Sequence, residues 1–419
     1  MSCAMAGDKK HEQFDMSISR RIPGHRFLHA PGPTRVPGEV MEAMSRQPMD
    51  LADPRVDAVI AACERGLKAL LHTRDADVFM YAANGHGAWE GAIVNLLAPG
   101  QTALVAGTGH FSESWAVQTE ALGVRVIRTP WVEGYPIDAS AVEAALRADT
   151  KREIVAVFTV HTDTASGMTS DLHAVRAAID ATGHPALFVV DVVASLGAAP
   201  FEMDALRANV VVGASQKGLM CPPGLGFCAV DSAAMAVASR NPNPRFYWDG
   251  ERRKSDLGYR KFCGTSPQNL LMGLQAALGL IALEGPAQVF ARHSAMARAT
   301  QAAVARWSEA GAVQLFSKVP QAASVSITAV SVAPGIDVEA LRTVARERFQ
   351  VAFAGGLGPL AGRVFRIGHL GDMNAAMVLG CLAGIEAAMT VQGVPYGPGG
   401  VQQAIASLAA DEASGVNRV

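Results

Sequence analysis

What this chain lacks narrows it first. It has six cysteines, at positions 3, 63, 221, 228, 263 and 381, and none stand at the C-x-x-C spacing of a zinc or dithiol site. They read as reduced thiols of a cytoplasmic protein, with no metal site. No uninterrupted apolar run reaches the roughly 20 residues of a membrane helix. The opening M-S-C-A-M-A-G-D-K-K-H-E-Q-F-D lacks the apolar core of a signal peptide. Neither sign of charge dominates: 36 Lys and Arg against 38 Asp and Glu leave a formal charge of −2. That balance argues against a nucleic-acid partner or an anionic membrane surface. There is no internal repeat and no low-complexity tract. What remains is a chain of 419 residues, 50% hydrophobic, able to bury a large core, most naturally in two domains.

Strands and helices alternate up to about residue 235, which predicts an α/β doubly wound domain. Apolar runs predict strands over 77–83, 102–106, 124–127 and 153–160. Apolar residues at 56, 59, 60, 63, 67, 70 and 71 predict an amphipathic helix over 56–71. Residues 241–264 are rich in Pro, Arg, Lys and aromatics without periodicity, and read as an extended active-site loop. A long apolar helix over 268–283 follows, and Gly285-Pro286 marks a domain junction. The expected organisation is a poorly ordered arm over 1–25, a large α/β domain over 26–285, a smaller α+β domain over 286–400 and a helix and tail over 401–419. Strands are expected near 322–330 and 363–367 in the small domain.

Three stretches carry chemistry. The first is V-V-G-A-S-Q-K-G-L-M-C-P-P-G-L-G-F, residues 211–227. A lone lysine, Lys217, stands just past a buried strand end and is fenced by glycine and proline. Taken alone it reads as an ordinary loop lysine. Desolvated there, it would also suit a nucleophilic amine of lowered pKa, the condition for a Schiff base. The second is A-L-F-V-V-D-V-V-A-S-L-G, residues 186–197, a buried parallel strand with Asp191 at its C-terminal end. Open α/β sheets place ligands there. Asp191 is also compatible with a helix cap. A buried carboxylate needs a cationic partner, and the protonated ring nitrogen of pyridoxal phosphate is one. In the third, the strand 77–83 runs into N-G-H-G-A-W-E-G and an apolar helix, the arrangement of an anion site at a helix N-terminus. Gly85, Gly87 and Gly91 give the competing spacing G-x-G-x-x-x-G, a weak dinucleotide pattern.

Taken together, these stretches resemble the class V aminotransferases of pyridoxal-phosphate fold type I, more narrowly the alanine–glyoxylate and serine–glyoxylate enzymes. Pro31-Gly32-Pro33-Thr34-x-Val36-Pro37 resembles the family's opening segment, and Gly85-His86 with Ala88-x-Glu90 its phosphate loop. H-T-D-T-A-S-G at 161–167, S-Q-K-x-x-x-x-P-P-G at 215–224 and R-I-G-H-L-G at 366–371 complete the match, in the family's order. The resemblance implies a mainly parallel seven-stranded sheet in the large domain and pyridoxal 5′-phosphate as cofactor. It makes Lys217 the Schiff-base lysine and proton carrier, and Asp191 the partner of the ring nitrogen. It places Val193 and Phe111 against the ring faces and Thr164 beside the ring oxygen. It puts Gly85, His86 and Gln216 on the phosphate, and Arg366, Gly32 and Pro33 around the substrate carboxylate. Arg366 also stands out by itself, a charge in an apolar strand that needs a ligand or an internal carboxylate. Thr265 resembles the residue that reaches the cofactor phosphate of a neighbouring subunit, which implies a homodimer with shared active sites.

The activity implied is transfer of an amino group from a small amino acid (serine or alanine first, aspartate third) to glyoxylate, ping-pong through pyridoxamine phosphate. Some positions depart from the family. Phe262 replaces a tyrosine, Thr162 replaces an asparagine or glycine, and Asp50-Leu51-Ala52 replaces an Asp-His-Arg run. These bear on the amino donor more than on the reaction. Two alternatives remain: a cysteine desulfurase or selenocysteine lyase, which needs a mobile-loop cysteine late in the chain, and a cofactor-binding dimer without catalysis. Intact Lys217, Asp191 and Arg366 speak against the second.

Overall fold

The structure, a computed structural model, describes residues 24–413. The arm expected over 1–25 lies outside the described residues except for Gly24 and His25, and the last six residues of the tail lie outside them too. The strands in chain order are β1 (Phe27–His29), β2 (Asp77–Ala83), β3 (Thr102–Val105), β4 (Arg125–Arg128), β5 (Ile154–Val160), β6 (Thr162–Asp163) and β7 (Met168–Thr169). After them come β8 (Leu187–Asp191), β9 (Val210–Ala214), β10 (Gly224–Val230), β11 (Val313–Leu315), β12 (Ile327–Val332), β13 (Val351–Gly355) and β14 (Val364–Gly368).

A seven-stranded sheet in the order β2-β10-β9-β8-β5-β3-β4 forms the large unit. The pairs β8–β9, β5–β8, β3–β5 and β3–β4 are parallel, and only β10 runs against its neighbours. The mainly parallel α/β architecture is therefore as expected. Because side chains alternate across a strand, each strand feeds two cores. Val78, Met80, Phe188 and Val190 pack on one face with Leu67 and Leu71 of the helix Pro54–Leu71 and with Leu274 and Leu278 of Gln268–Glu284. Phe79, Tyr81, Leu187 and Val189 pack on the other with Trp89 and Ile93 of Gly85–Leu96 and Trp115 of His110–Ala121. By this alternation the next residue of β8 on that face, Asp191, turns toward Trp89.

A second sheet, β1-β13-β14-β12-β11, builds the smaller unit. Its first strand comes from the beginning of the described chain, with Phe27, Leu28 and His29 pairing in parallel with Val351, Ala352 and Phe353. The three residues after Arg26 therefore serve the small sheet before the chain enters the large one. The helix Ala375–Gln392 is long and apolar enough to span a membrane by length and composition. Here Val378, Leu382, Ile385 and Met389 bury it in the core of the small unit, beside Trp307 and Leu341.

The stretch 241–264, read as a loop, contains two short helices, Gly250–Arg253 and Gly258–Lys261. Periodicity missed them because each is four residues long. Arg253 anchors the stretch: it is buried, and its guanidinium donates to the carbonyls of Met80, Tyr247 and Lys261.

Candidate active site

At the C-terminal edge of the parallel strands a cleft of about 260 Å³ opens. Of the residues singled out in the sequence, Gly32, Pro33, Gly85, His86, Phe111, Thr164, Asp191, Val193, Gln216 and Lys217 line it. Trp89, Val160 and Thr162 join them. Thr265 is exposed and lines no part of this cleft, and Phe262 beside it is buried.

Asp191 ends β8 in register with Val160 of β5 and Val212 of β9. Its Oδ1 accepts the backbone N–H of Val193 at 2.7 Å, and its Oδ2 accepts the indole N–H of Trp89 at 2.6 Å. Burial pushes its carboxyl up to about 7; the two hydrogen bonds oppose this, and the nearby Asp163 and Lys217 add opposing influences of their own.

Lys217 follows β9, and its Nζ donates to the carbonyl of Pro31 at 2.7 Å. Burial draws its pKa down to about 8, helped by the positive charge of Arg366 and resisted by Asp191 and Asp163. The lysine stem runs along Gly32, which has φ +146; a Cβ there would lie 2.5 to 2.7 Å from the lysine Cδ, Cε and Nζ. Only glycine lets the opening segment pass that close.

The helix Gly85–Leu96 begins at the cleft. Asn84 caps it by accepting from the Gly87 N–H, and the first intrahelical bond runs from Ala88 to Asn84. The amides of Gly85 and His86 precede that bond, so the helix presents them at its positive end. Burial, then the neighbouring His110, lowers the pKa of His86. Gln216 brings in an amide whose Oε1 is buried without a partner, and an amide can turn either end to a ligand.

Arg366, on β14, does not itself line the cleft; it stands behind the wall, bonded to the carbonyl of the lining residue Thr164. It is 6% exposed, and its Nε and Nη1 donate to the carbonyls of Gly355 and Thr164 at 2.7 and 2.9 Å. Among the described residues no carboxylate stands within ion-pair distance of it. Burial lowers its pKa to about 10, still far above neutrality. The internal salt bridge that the sequence left open is absent here. Asp163 opposes the fall in pKa from beyond ion-pair distance and Arg342 adds to it, and a buried cation hydrogen-bonded only to two carbonyls favours an anion.

Sequence reasoning missed two residues. Asp163, fully buried, accepts from the backbone N–H groups of Phe111 and Ala165, each at 2.8 Å, and so ties the segment bearing Phe111 to the end of the sheet. Burial raises its pKa. Its signal was an acid directly after a buried strand. Trp89 had no such signal, since a tryptophan in an apolar helix reads as core.

The cleft thus brings together a helix start that suits an anion, a buried carboxylate and an amine of lowered pKa, with a guanidinium lacking an ion-pair partner just behind its wall. None of the described cysteines lines it. Burial pushes the thiols of Cys63, Cys221 and Cys228 up to about 12, the opposite of activation.

Comparison with known proteins agrees with this geometry. The family model of class-V aminotransferases matches residues 26–360. The chain is 37% identical over 391 residues to a serine–glyoxylate aminotransferase of Methylorubrum extorquens, covering 92% of this chain and 96% of that one. It is 38% identical over 370 residues to an L-aspartate–glyoxylate aminotransferase of Paracoccus denitrificans, covering 88% and 92%. Among solved structures, a pyridoxamine–pyruvate aminotransferase of Mesorhizobium loti superposes with a TM-score of 0.84 at 27% identity, covering 93% of this chain and 98% of that one.

Proposed function

The chain belongs to the class-V aminotransferase family, and on that premise we propose that it moves an amino group from a small amino acid to glyoxylate, using pyridoxal 5′-phosphate. The observation that carries this reading is the single cleft that holds Lys217 and Asp191 together. The residues present fit the cofactor. The backbone amides of Gly85 and His86 suit its phosphate, and so does the Gln216 side chain with its NH2 end, rather than its unpartnered Oε1, turned to the ligand. Asp191 suits its ring nitrogen, Phe111 and Val193 its ring walls, and Thr164 its ring oxygen. When bound, the cofactor supplies an electron-withdrawing ring that makes a substrate Cα–H acidic.

The chain's own residues would do the rest. Lys217 moves the proton at the substrate Cα, and its pKa of about 8 lets it both take and return one near neutral pH. Arg366 holds the substrate carboxylate with its unused N–H groups, and the carbonyls of Gly355 and Thr164 fix its orientation. Asp163 keeps the Phe111 segment in place. Serine and alanine are the first donors to expect, with aspartate third; two relatives named above act on serine and on aspartate. We extend the reading to a homodimer in which Thr265 reaches the partner's cofactor. The exposure of Thr265 and of Phe246, Leu257 and Tyr259 on the same stretch supports it.

The test is a panel of serine, alanine and aspartate with glyoxylate or pyruvate, read by product amino acid. Glycine from glyoxylate is the expected product, and sulfide from cysteine is not expected. Lys217→Ala should lower turnover on the order of 10³-fold. Undiminished glycine formation by that variant would remove the lysine from the chemistry.

A further inference from the structure

Trp89 and Trp115 are stacked at 5.2 Å with their planes 8° apart, and Trp115 stacks in turn on Phe158 at 4.6 Å. The indole N–H of Trp115 is buried without a partner. That of Trp89 meets the carboxylate of Asp191 at 2.6 Å. Both Trp89 and Asp191 are almost fully buried. His86 packs near the Trp89 ring at 4.6 Å, and Phe111 meets its edge at 6.4 Å. So enclosed, the indole has no room to swing, and the direction of its N–H is set before any ligand arrives.

An indole N–H only donates, and so does the backbone N–H of Val193 on the other oxygen. Each oxygen of Asp191 therefore faces a donor on its protein side. The remaining lone pairs, and any proton the group shares, are confined to the cleft side. We propose that Trp89 is a positioning residue that orients the carboxyl of Asp191 toward the ring nitrogen of the cofactor. The inference rests on the cofactor reading above. It also gives one helix two tasks: the amides of Gly85 and His86 at its start serve the phosphate, and the side chain one turn further on serves the acid at the far end of the ring.

Trp89→Phe keeps an aromatic ring in the stack and removes the N–H. Dissociation constants of pyridoxal 5′-phosphate, and of the analogue in which ring nitrogen is replaced by C–H, are measured by equilibrium dialysis for wild type and variant. Wild type should prefer the cofactor over the analogue. Trp89→Phe should weaken the cofactor about tenfold, as expected for loss of a hydrogen bond to a charged group, and leave the analogue nearly unchanged. Equal losses for both ligands would mean that Trp89 merely packs, and no loss for either would mean that its N–H is idle; each result overturns the inference while leaving the cofactor reading intact. A wild type that binds neither ligand would overturn the cofactor reading, and this inference with it.

Discussion

Two buried polar clusters use similar backbone partners and reach opposite charge states. In the first, His29, His293 and His369 are fully buried where the small sheet meets the opening segment. His29 faces the carbonyl of Gly368, His293 that of Val289, and His369 that of Val325. His293 also accepts from the Gly371 N–H, and His369 meets the hydroxyl of Thr328. Burial lowers their pKa values to about 4, 3 and 3. Imidazole can donate from one nitrogen and accept on the other, so neutrality suits it there. Behind the cleft wall, Arg366 is also held by carbonyls, but it has no neutral form near physiological pH. The first cluster avoids charge, and Arg366 keeps it, as the proposed carboxylate-binding role requires. They are joined mechanically: a Cβ on Gly368 would lie 2.4 Å from the Ala30 carbonyl oxygen, so the strand bearing Arg366 passes directly beside the segment whose Pro31 carbonyl receives Lys217.

The comparison breaks most sharply at Arg366. If its charge is kept for a substrate carboxylate, Arg366→Ala should lower kcat/KM for the donor on the order of 10²-fold, chiefly through KM, with cofactor affinity little changed. Steady-state kinetics beside equilibrium dialysis reads both. Unchanged kinetics would make Arg366 a structural residue like the histidines.

Acid tests the other cluster, and the sign follows from the direction of each shift. An unfolded histidine takes up a proton below about 6.5. Folded His29, His293 and His369 do so only at about 3 to 4, as does His161, which is buried outside that cluster beside the Ser195 hydroxyl. Above pH 6.5 they leave stability unaffected; as pH falls from 6.5 toward 4, each costs about 1.4 kcal/mol per pH unit. Asp191 acts oppositely: its folded pKa of about 7 lies above the unfolded value of 3.8, so its contribution is full below 3.8 and lost as pH rises through 7. The histidines outnumber it, and urea unfolding should show stability falling between pH 6.5 and 5. His369→Asn, which can still donate to Val325, should flatten that slope by about 1.4 kcal/mol per pH unit. An unaltered slope would show that His369 is not the source.

Much of the cleft was legible because its parts interrupt apolar patterns. Lys217, Asp191 and Arg366 are charges set at or in buried strands, and Gly32 and Gly85 mark backbone that must pass close to something. Trp89 was hidden because its partner is 102 positions away and its own surroundings are uniformly apolar. The pairing of β1 with β13 was equally hidden, since three residues give no periodicity and their partners lie almost at the other end of the chain. Most strands of the large sheet were readable to within a residue or two as apolar runs, but β10 was not, because it begins inside a Pro-Pro-Gly-x-Gly segment that reads as a turn. The short helices of 241–264 were not, because side-chain hydrogen bonds to distant residues, Arg253 to the Met80 carbonyl and Arg245 to the Asn95 Oδ1, fix that stretch rather than propensity.

The smallest expected effect sharpens the contrast from outside. Arg128 has what Arg366 lacks: its guanidinium meets Glu113 at 2.9 Å and Glu120 at 2.7 Å. Its side chain is 33% exposed and those of its partners 56% and 44%. Water already solvates all three groups and salt screens them, so the ion pairs replace hydration of similar worth. Arg128→Ala should therefore change the unfolding free energy by less than about 1 kcal/mol, with donor KM unaltered. A loss of several kcal/mol in urea unfolding would show that pairing matters more here than burial. The small change expected would show the reverse: an arginine paired with two carboxylates at the surface matters little to this protein, in contrast to Arg366, buried without an ion-pair partner, whose charge we propose a substrate meets.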